Sequence, residues 1–202
     1  MENKYSTVFF DWSGVVADDS GDDFIEYSLR EIGATNTQIP EIIKNEFSQF
    51  MLGQISENEY WGKVKNNYGL NVDDSRIGYF NNWQGIKPNI YIIELVHKLK
   101  SNGFKIGLIS NIISPVRDII KQFGYYDVFD KAILSCEVGL LKPQKEIYEL
   151  ALHRMDTIAQ ESIFIDDKKS NLDTANAMGF ATLLAKTPEQ IISEVNKLIG
   201  IK

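Results

Sequence analysis

The 202-residue sequence has one cysteine, Cys136, so no intramolecular disulfide can form, which fits a reducing compartment. It has only two histidines and no apolar run near the ~20 residues of a membrane-spanning helix. The first residues also lack the basic start and apolar segment of a signal peptide. We therefore expect a cytoplasmic protein that does not bind metal through thiolate or histidine clusters.

An excess of positive charge is absent as well. The chain carries 21 basic and 28 acidic residues, giving a formal net charge of −7. This balance argues against a nucleic-acid backbone or an anionic membrane as the main partner. A phosphorylated substrate would need a local positive site, such as a metal ion and a lysine.

Two common phosphate-binding motifs are missing. No glycine-rich loop is followed by Lys-Ser or Lys-Thr, which excludes a P-loop NTPase. No G-x-G-x-x-G follows a strand, so a dinucleotide site is unsupported. A receiver domain would place its acid pair near the start of the chain and would lack inserted helices.

Short apolar runs alternate with helical patterns along most of the chain. The first predicted strand covers residues 6–11, and four more are predicted at 104–109, 131–135, 162–165 and 181–184. This alternation is typical of a parallel α/β sheet with right-handed crossovers.

Residues 23–83 show only helical periodicity, with a capping-box-like start at Ser56-Glu57-Asn58-Glu59. No strand is predicted there. We therefore expect a small helical domain at 17–85 inserted after the first strand of a core domain made of 1–16 and 86–202.

Polar residues follow the predicted strands where each strand ends. Asp11 follows the first, Ser110-Asn111 the second and Asp166-Asp167 the fourth, while Lys142 lies beyond the third. Because the carboxyl ends of parallel strands meet at one edge of a sheet, these residues predict a single site.

The chemistry of such a site is coherent. Three carboxylates brought together repel one another unless a cation is present, and oxygen-rich ligation favours Mg²⁺. Ser110 can donate a hydrogen bond to a phosphate, and Lys142 can offset its charge. Asp11 would then be placed to attack phosphorus and form an aspartyl phosphate.

Four segments resemble, in order, the motifs of the haloacid dehalogenase-like hydrolase superfamily, and the resemblance covers essentially the whole chain. They are Phe10–Val15, Leu108–Asn111, Lys142–Tyr148 and Ile165–Asn171. The sequence is most similar to the branch with glucose-1-phosphate phosphatases and the N-terminal domain of soluble epoxide hydrolase. The resemblance implies a Rossmann-like sheet of strand order 5-4-1-2-3, and a helical cap that closes over the site and selects the substrate.

The resemblance also implies roles for the first three motifs. Asp11 would be the nucleophile and a metal ligand, with the backbone carbonyl of Ser13 also on the metal. Ser110 and the backbone amide of Asn111 would hold the phosphate, and Lys142 would neutralise charge.

The fourth motif would complete the metal site. Asp167 would bind the ion directly, and Asp166 would bind it directly or through water. Asn171 would either orient the loop of this motif or cap the following helix.

Ser13 departs from the pattern of the family's phosphatases, in which an aspartate at this position protonates the leaving group and then activates water. A hydroxyl is a poor acid and base near neutral pH, and such a group is worth ~10²–10⁴-fold in rate. A Mg²⁺-dependent phosphatase would then favour acidic leaving groups, such as sugar-1-phosphates. Otherwise it would need help from one of the acids at Asp18, Asp19, Asp22 or Asp23.

Two other interpretations stay open. A metal-independent 2-haloacid dehalogenase would also lack the second aspartate. It would, however, carry neutral residues in place of Asp166-Asp167, together with a halide-binding arginine for which the cap offers Arg30 and Arg76. A non-catalytic relative would instead bind a ligand or partner through cap aromatics such as Trp61.

Overall fold

The computed structural model describes residues 3–17, 41–68 and 87–200. Its strands are β1 (Thr7–Phe10), β2 (Lys105–Ser110), β3 (Lys131–Leu134), β4 (Ser162–Asp166) and β5 (Ala181–Leu184). Its α-helices are α1 (Glu41–Met51), α2 (Glu57–Tyr68), α3 (Ile90–Ser101), α4 (Ser114–Gln122), α5 (Ser135–Val138), α6 (Lys145–Met155), α7 (Lys169–Ala177) and α8 (Pro188–Ile199).

The strands form one parallel sheet of order β3-β2-β1-β4-β5, which confirms the predicted fold class and strand order. Strand β1 lies at the centre and is buried throughout, as expected for a continuous apolar strand covered on both faces. Phe10 lies opposite Leu108 of β2 and Ile165 of β4. The next residue, Asp11, therefore leaves the sheet between two neighbouring strands.

Successive side chains of β1 enter opposite faces of the sheet. Val8 and Phe10 join a cluster that includes Ile92 of α3 and Val195 of α8. Phe9 joins a second cluster, which includes residues of α6 and α7. The helices thus cover both faces and hold the sheet edge that carries the polar residues.

The third strand is shorter than predicted. It ends at Leu134, and Ser135 begins the four-residue helix α5. A single helical turn is too short to show a periodic pattern, so the prediction extended the strand by one residue to Ser135 and did not include this helix. The 3-10 helix Ala159–Glu161 before β4 was missed for the same reason.

Helices α1 and α2 are the described part of the inserted region. The predicted capping box is present, since the Ser56 amide donates to Glu59 Oε2 at 2.7 Å and the Glu59 amide donates to Ser56 Oγ at 3.3 Å. The rings of Phe50 and Tyr60 stack with centroids 5.2 Å apart, which joins the two helices. Residues 23–40 and 69–83 of the region predicted to be helical, and the acids at 18–23, lie outside the described residues, so the domain boundaries stay a prediction.

Hydrogen bonds among the described residues tie the inserted region to the core. The Ser135 hydroxyl donates to the carbonyl of Met51 at the end of α1, at 2.8 Å. Where the insertion begins and ends, the Asn89 amide donates to the Val16 carbonyl at 2.7 Å, and Ala17 forms an antiparallel bridge with Pro88. In the described ranges, no helix has the length and apolar character needed to cross a membrane.

Candidate active site

Lys142 is the centre of the site. Its Nζ lies 2.8 Å from Asp11 Oδ1 and 2.7 Å from Asp166 Oδ2, and the residue is only 4% exposed. The ring of Phe164 lies beneath this ammonium group, with its centroid 5.5 Å away. Charges buried this deeply are tolerated only when paired, so the three groups fix one another's positions.

Asp166 is the most fully hydrogen-bonded carboxylate of the site. Besides Lys142, it accepts from the Lys168 amide at 2.8 Å and from Asn171 Nδ2, which lies 3.0 Å from each of its oxygens. Asn171 lies inside α7, because the N-cap of this helix is Lys168. The prediction that Asn171 caps the helix is therefore wrong. The Asn171 amide binds the carboxylate that ends β4.

Asp167 has a different environment. Its Oδ1 is buried and has no hydrogen-bond donor within the ranges that the structure describes. Gly14 has a φ of +70°, and a β-carbon placed there would lie 2.8 Å from Asp167 Oδ2. A glycine is needed here both for the backbone conformation and for the space that the carboxylate occupies.

Asp11, Asp166 and Asp167 together form a carboxylate cluster. One oxygen from each residue lies within 4.8 Å of the others. The buried ammonium group of Lys142 contacts two of these carboxylates, and the buried Asp167 Oδ1 lacks a donor among the described residues. Such a group of oxygens fits a hard divalent cation such as Mg²⁺.

The electrostatics of the site agree with this arrangement. Burial raises the pKa of Asp11 to about 7; Lys142 opposes this shift, and Asp166 and Asp167 add to it. Burial and the nearby Asp166 charge also raise the pKa of Asp167. Burial alone would lower the pKa of Lys142, but the Asp11 and Asp166 charges raise it, so the lysine stays charged. The described residues therefore leave negative charge at this site incompletely balanced.

The chain makes a tight turn directly after Asp11. The Trp12 amide donates to Asp11 Oδ1 at 2.7 Å, and the Trp12 carbonyl accepts from the amides of Val16 and Ala17, both at 2.8 Å. Ser13 lies in this turn, is partly exposed and forms an isolated bridge with Ala17. The part played by the Trp12 backbone was missed, because an amide donor leaves no signal in side-chain identity.

Ser110 and Asn111 lie at the end of β2, beside β1. Ser110 is buried, while Asn111 exchanges two hydrogen bonds with the backbone of Lys142. Asn111 Nδ2 donates to the Lys142 carbonyl, and the Lys142 amide donates to Asn111 Oδ1, both at 2.8 Å. The family resemblance implies a role only for the Asn111 backbone amide, and the side-chain contact could not be predicted because it joins residues 31 positions apart.

The predicted residues thus gather at one edge of the sheet. Asp11, Asp166 and Lys142 are in direct contact, and Asp167 completes the acid cluster. Ser110 and Asn111 approach from the neighbouring strand end, and Ser13 follows in the turn after Asp11. The acids considered as substitutes for the missing aspartate, at 18, 19, 22 and 23, are outside the described residues.

Comparison with known families gives a match over most of the chain. A family model described as haloacid dehalogenase-like hydrolase matches residues 5–179. The sesquiterpene phosphatase astK of Aspergillus oryzae is 27% identical over 195 residues, which are 96% of this chain and 92% of that protein. Bifunctional epoxide hydrolase 2 of Rattus norvegicus is 32% identical over 114 residues, but these are 54% of this chain and only 21% of that enzyme.

Solved structures share the fold. The magnesium complex of a HAD family enzyme from Bacteroides thetaiotaomicron superposes with a TM-score of 0.74 at 24% identity. The superposition covers 91% of this chain and 94% of that one. The sheet and its flanking helices are therefore arranged as in that enzyme.

Proposed function

Because the chain belongs to the haloacid dehalogenase-like hydrolases, we propose that it is a Mg²⁺-dependent phosphatase acting on a small phosphorylated metabolite, of the sugar-phosphate type. The observation that carries the proposal is the buried contact of Lys142 with Asp11 and Asp166. Beside it lies the Asp167 carboxylate, whose buried Oδ1 has no donor among the described residues. This arrangement combines a carboxylate nucleophile, a fixed cation and ligands for a metal ion.

The residues present fit Mg²⁺. Asp11 and Asp167 would hold the ion, together with the Ser13 carbonyl, because the oxygens of Asp166 already accept hydrogen bonds from three residues. Asp166 would then act through water or by holding Lys142. When bound, Mg²⁺ supplies positive charge that offsets the carboxylates and the phosphate oxygens.

The first chemical step is proposed for Asp11. Its carboxylate oxygen attacks phosphorus, the bond from phosphorus to the ester oxygen breaks, and the leaving oxygen departs with the bonding electrons. Lys142 and Ser110 would bind the phosphoryl oxygens and stabilise the charge that develops on them. In the second step, the oxygen of a water molecule attacks phosphorus and the bond from phosphorus to the Asp11 oxygen breaks, which restores the carboxylate. A proton of that water passes through solvent to the oxygen that left in the first step, and inorganic phosphate is released.

Ser13 shapes the substrate preference in this proposal. Residue 13 offers a hydroxyl in place of the carboxylic acid that would protonate the leaving oxygen, so poor leaving groups are released slowly. Substrates whose leaving group is acidic avoid most of this penalty. We therefore expect sugar-1-phosphates and acyl phosphates to be better substrates than simple alkyl phosphates.

A panel of phosphomonoesters assayed with Mg²⁺ and with EDTA tests the proposal. The panel includes sugar-1-phosphates, sugar-6-phosphates, acetyl phosphate and farnesyl phosphate, the last because a relative is named a sesquiterpene phosphatase. Phosphate release that requires Mg²⁺ and disappears in Asp11→Asn is expected. The matched control is Asp173→Asn, an exposed aspartate paired with Lys169 on α7.

The outcomes separate the remaining interpretations. Halide release from 2-haloacids without metal would favour a dehalogenase. Absence of turnover together with absence of Mg²⁺ binding would favour a non-catalytic binding protein. Activity retained by Asp11→Asn would show that the nucleophile is wrongly assigned.

A further inference from the structure

We propose that the side chain of Asn111 is a positioning residue that holds Lys142 in place for catalysis. The inference rests on the proposed function, since it concerns how the catalytic lysine is oriented. It assigns to Asn111 a task separate from binding phosphate through its backbone amide.

The contact has two points. Asn111 uses its carbonyl oxygen to accept from the Lys142 amide and its NH₂ group to donate to the Lys142 carbonyl, each at 2.8 Å. One planar amide therefore satisfies both backbone groups of a single residue. A two-point contact restrains rotation of the Lys142 backbone as well as its position.

Lys142 needs such a contact because of where it lies. It belongs to the connection between α5 and α6, and neither helix includes it. The following residue, Pro143, has no amide proton to donate and so supplies no partner either. The backbone groups of Lys142 therefore find their hydrogen-bond partners outside this connection, in the Asn111 side chain. Buried backbone groups without partners are costly.

The contact also has a consequence for the reacting groups. Asn111 directly follows Ser110, which ends β2 beside the central strand. Through Asn111, the end of β2 sets the backbone from which the Lys142 side chain reaches Asp11 and Asp166, at 2.8 and 2.7 Å. The Ser110 hydroxyl and the Lys142 ammonium group, both proposed to bind the phosphoryl oxygens, are thus held at a fixed spacing.

Asn111→Leu tests the inference, because it removes both hydrogen bonds with little change in volume. We expect kcat to fall by about 10- to 100-fold, the range typical when a supporting hydrogen-bond partner is lost, while KM changes little. Asn111→Asp keeps the acceptor for the Lys142 amide and loses the donor for the Lys142 carbonyl. Its kcat should therefore lie between those of wild type and Asn111→Leu. Asn102→Leu, at an exposed site after α3, is the matched control and should leave turnover unchanged.

A double-mutant cycle with Lys142→Ala separates positioning from a general loss of structure. If Asn111 acts through Lys142, adding Asn111→Leu to Lys142→Ala should lower the residual turnover by less than about twofold. The inference would be overturned if the two substitutions lowered kcat additively, or if Asn111→Leu changed only KM.

A crystal structure of Asn111→Leu gives a readout that needs no turnover. We expect Lys142 Nζ to lose at least one of its contacts with Asp11 and Asp166. If both contacts persist, the inference is wrong even where activity falls. Inactivity of the wild-type protein on every phosphomonoester would instead contradict the proposed function, and this structure would still decide the role of Asn111.

Discussion

Gly14 lies directly against the carboxylate of Asp167, so that a β-carbon at residue 14 would be 2.8 Å from Oδ2. Gly14→Ala should therefore displace Asp167 and also strain a backbone whose φ is +70°. We expect Mg²⁺-dependent turnover to fall at least as far as in Asp167→Asn. The backbone strain should lower the free energy of unfolding by about 1–2 kcal/mol.

Gly103→Ala separates the two effects. Gly103 also has a positive φ, +84°, but no atom lies within 4 Å of the position of its β-carbon. In urea unfolding, backbone strain should lower the free energy of unfolding of both variants by a similar amount. Only Gly14→Ala should lose activity. Equal activities would contradict the close approach to Asp167.

Ser13→Asp should restore the missing proton donor. Because a positioned acid or base contributes roughly 10²–10⁴-fold, we expect kcat on alkyl phosphates to rise by at least ~10-fold. Turnover of p-nitrophenyl phosphate should change much less, because its leaving group needs no proton. Steady-state kinetics on both substrates measure the difference, and Ser101→Asp, at an exposed site at the end of α3, is the control. A rise of equal size on both substrates would count against proton transfer as the cause.

Asp167→Asn should separate metal affinity from stability. Replacing one of three neighbouring carboxylates removes charge repulsion, so the metal-free variant should unfold at a temperature no lower than wild type. The increase in Tm produced by Mg²⁺ should largely disappear, and calorimetry should show affinity weakened by more than about tenfold. Asp173→Asn should keep the wild-type response to Mg²⁺. An unchanged response in Asp167→Asn would remove this residue from the metal site.

Ser135→Ala should weaken the junction between the inserted helices and the core. The Ser135 hydroxyl accepts from the buried Ile112 amide at 2.8 Å and lies 2.8 Å from the Met51 carbonyl. Leaving such buried groups without partners costs about 1–3 kcal/mol. Urea unfolding should show this loss, while Ser101→Ala, which removes an exposed hydroxyl, should cost less than ~0.5 kcal/mol. Equal costs would show that the Ser135 contact contributes little.

The alternation of strands and helices and the gathering of the acids could be predicted because both follow from local patterns. Short apolar runs end in Asp11, Ser110 and Asp166, and the carboxyl ends of parallel strands share one edge. The strand order was implied only by the family resemblance. Each motif that carries the resemblance occupies a few consecutive residues.

The contacts that orient the site could not be predicted, because they join residues far apart in the chain. The Asn111 side chain meets Lys142 only when the connection before α6 folds across the end of β2. Asn171 suits a helix cap by residue type, yet α7 begins two residues earlier, at Lys169, and the Asn171 NH₂ group donates to Asp166. Residue identity shows which hydrogen bonds a side chain can make, and tertiary structure selects among them.

The bond between the Asn89 amide and the Val16 carbonyl closes the insertion at its base. The chain leaves the core after Val16 and returns to it at Asn89, so the two ends of the insertion are held side by side. The entropy of closing a loop rises only slowly with its length, so segments of very different size could be exchanged there at small cost in stability. Asp11 precedes this closure, so an exchanged insertion would leave the proposed nucleophile at the position that the sheet sets.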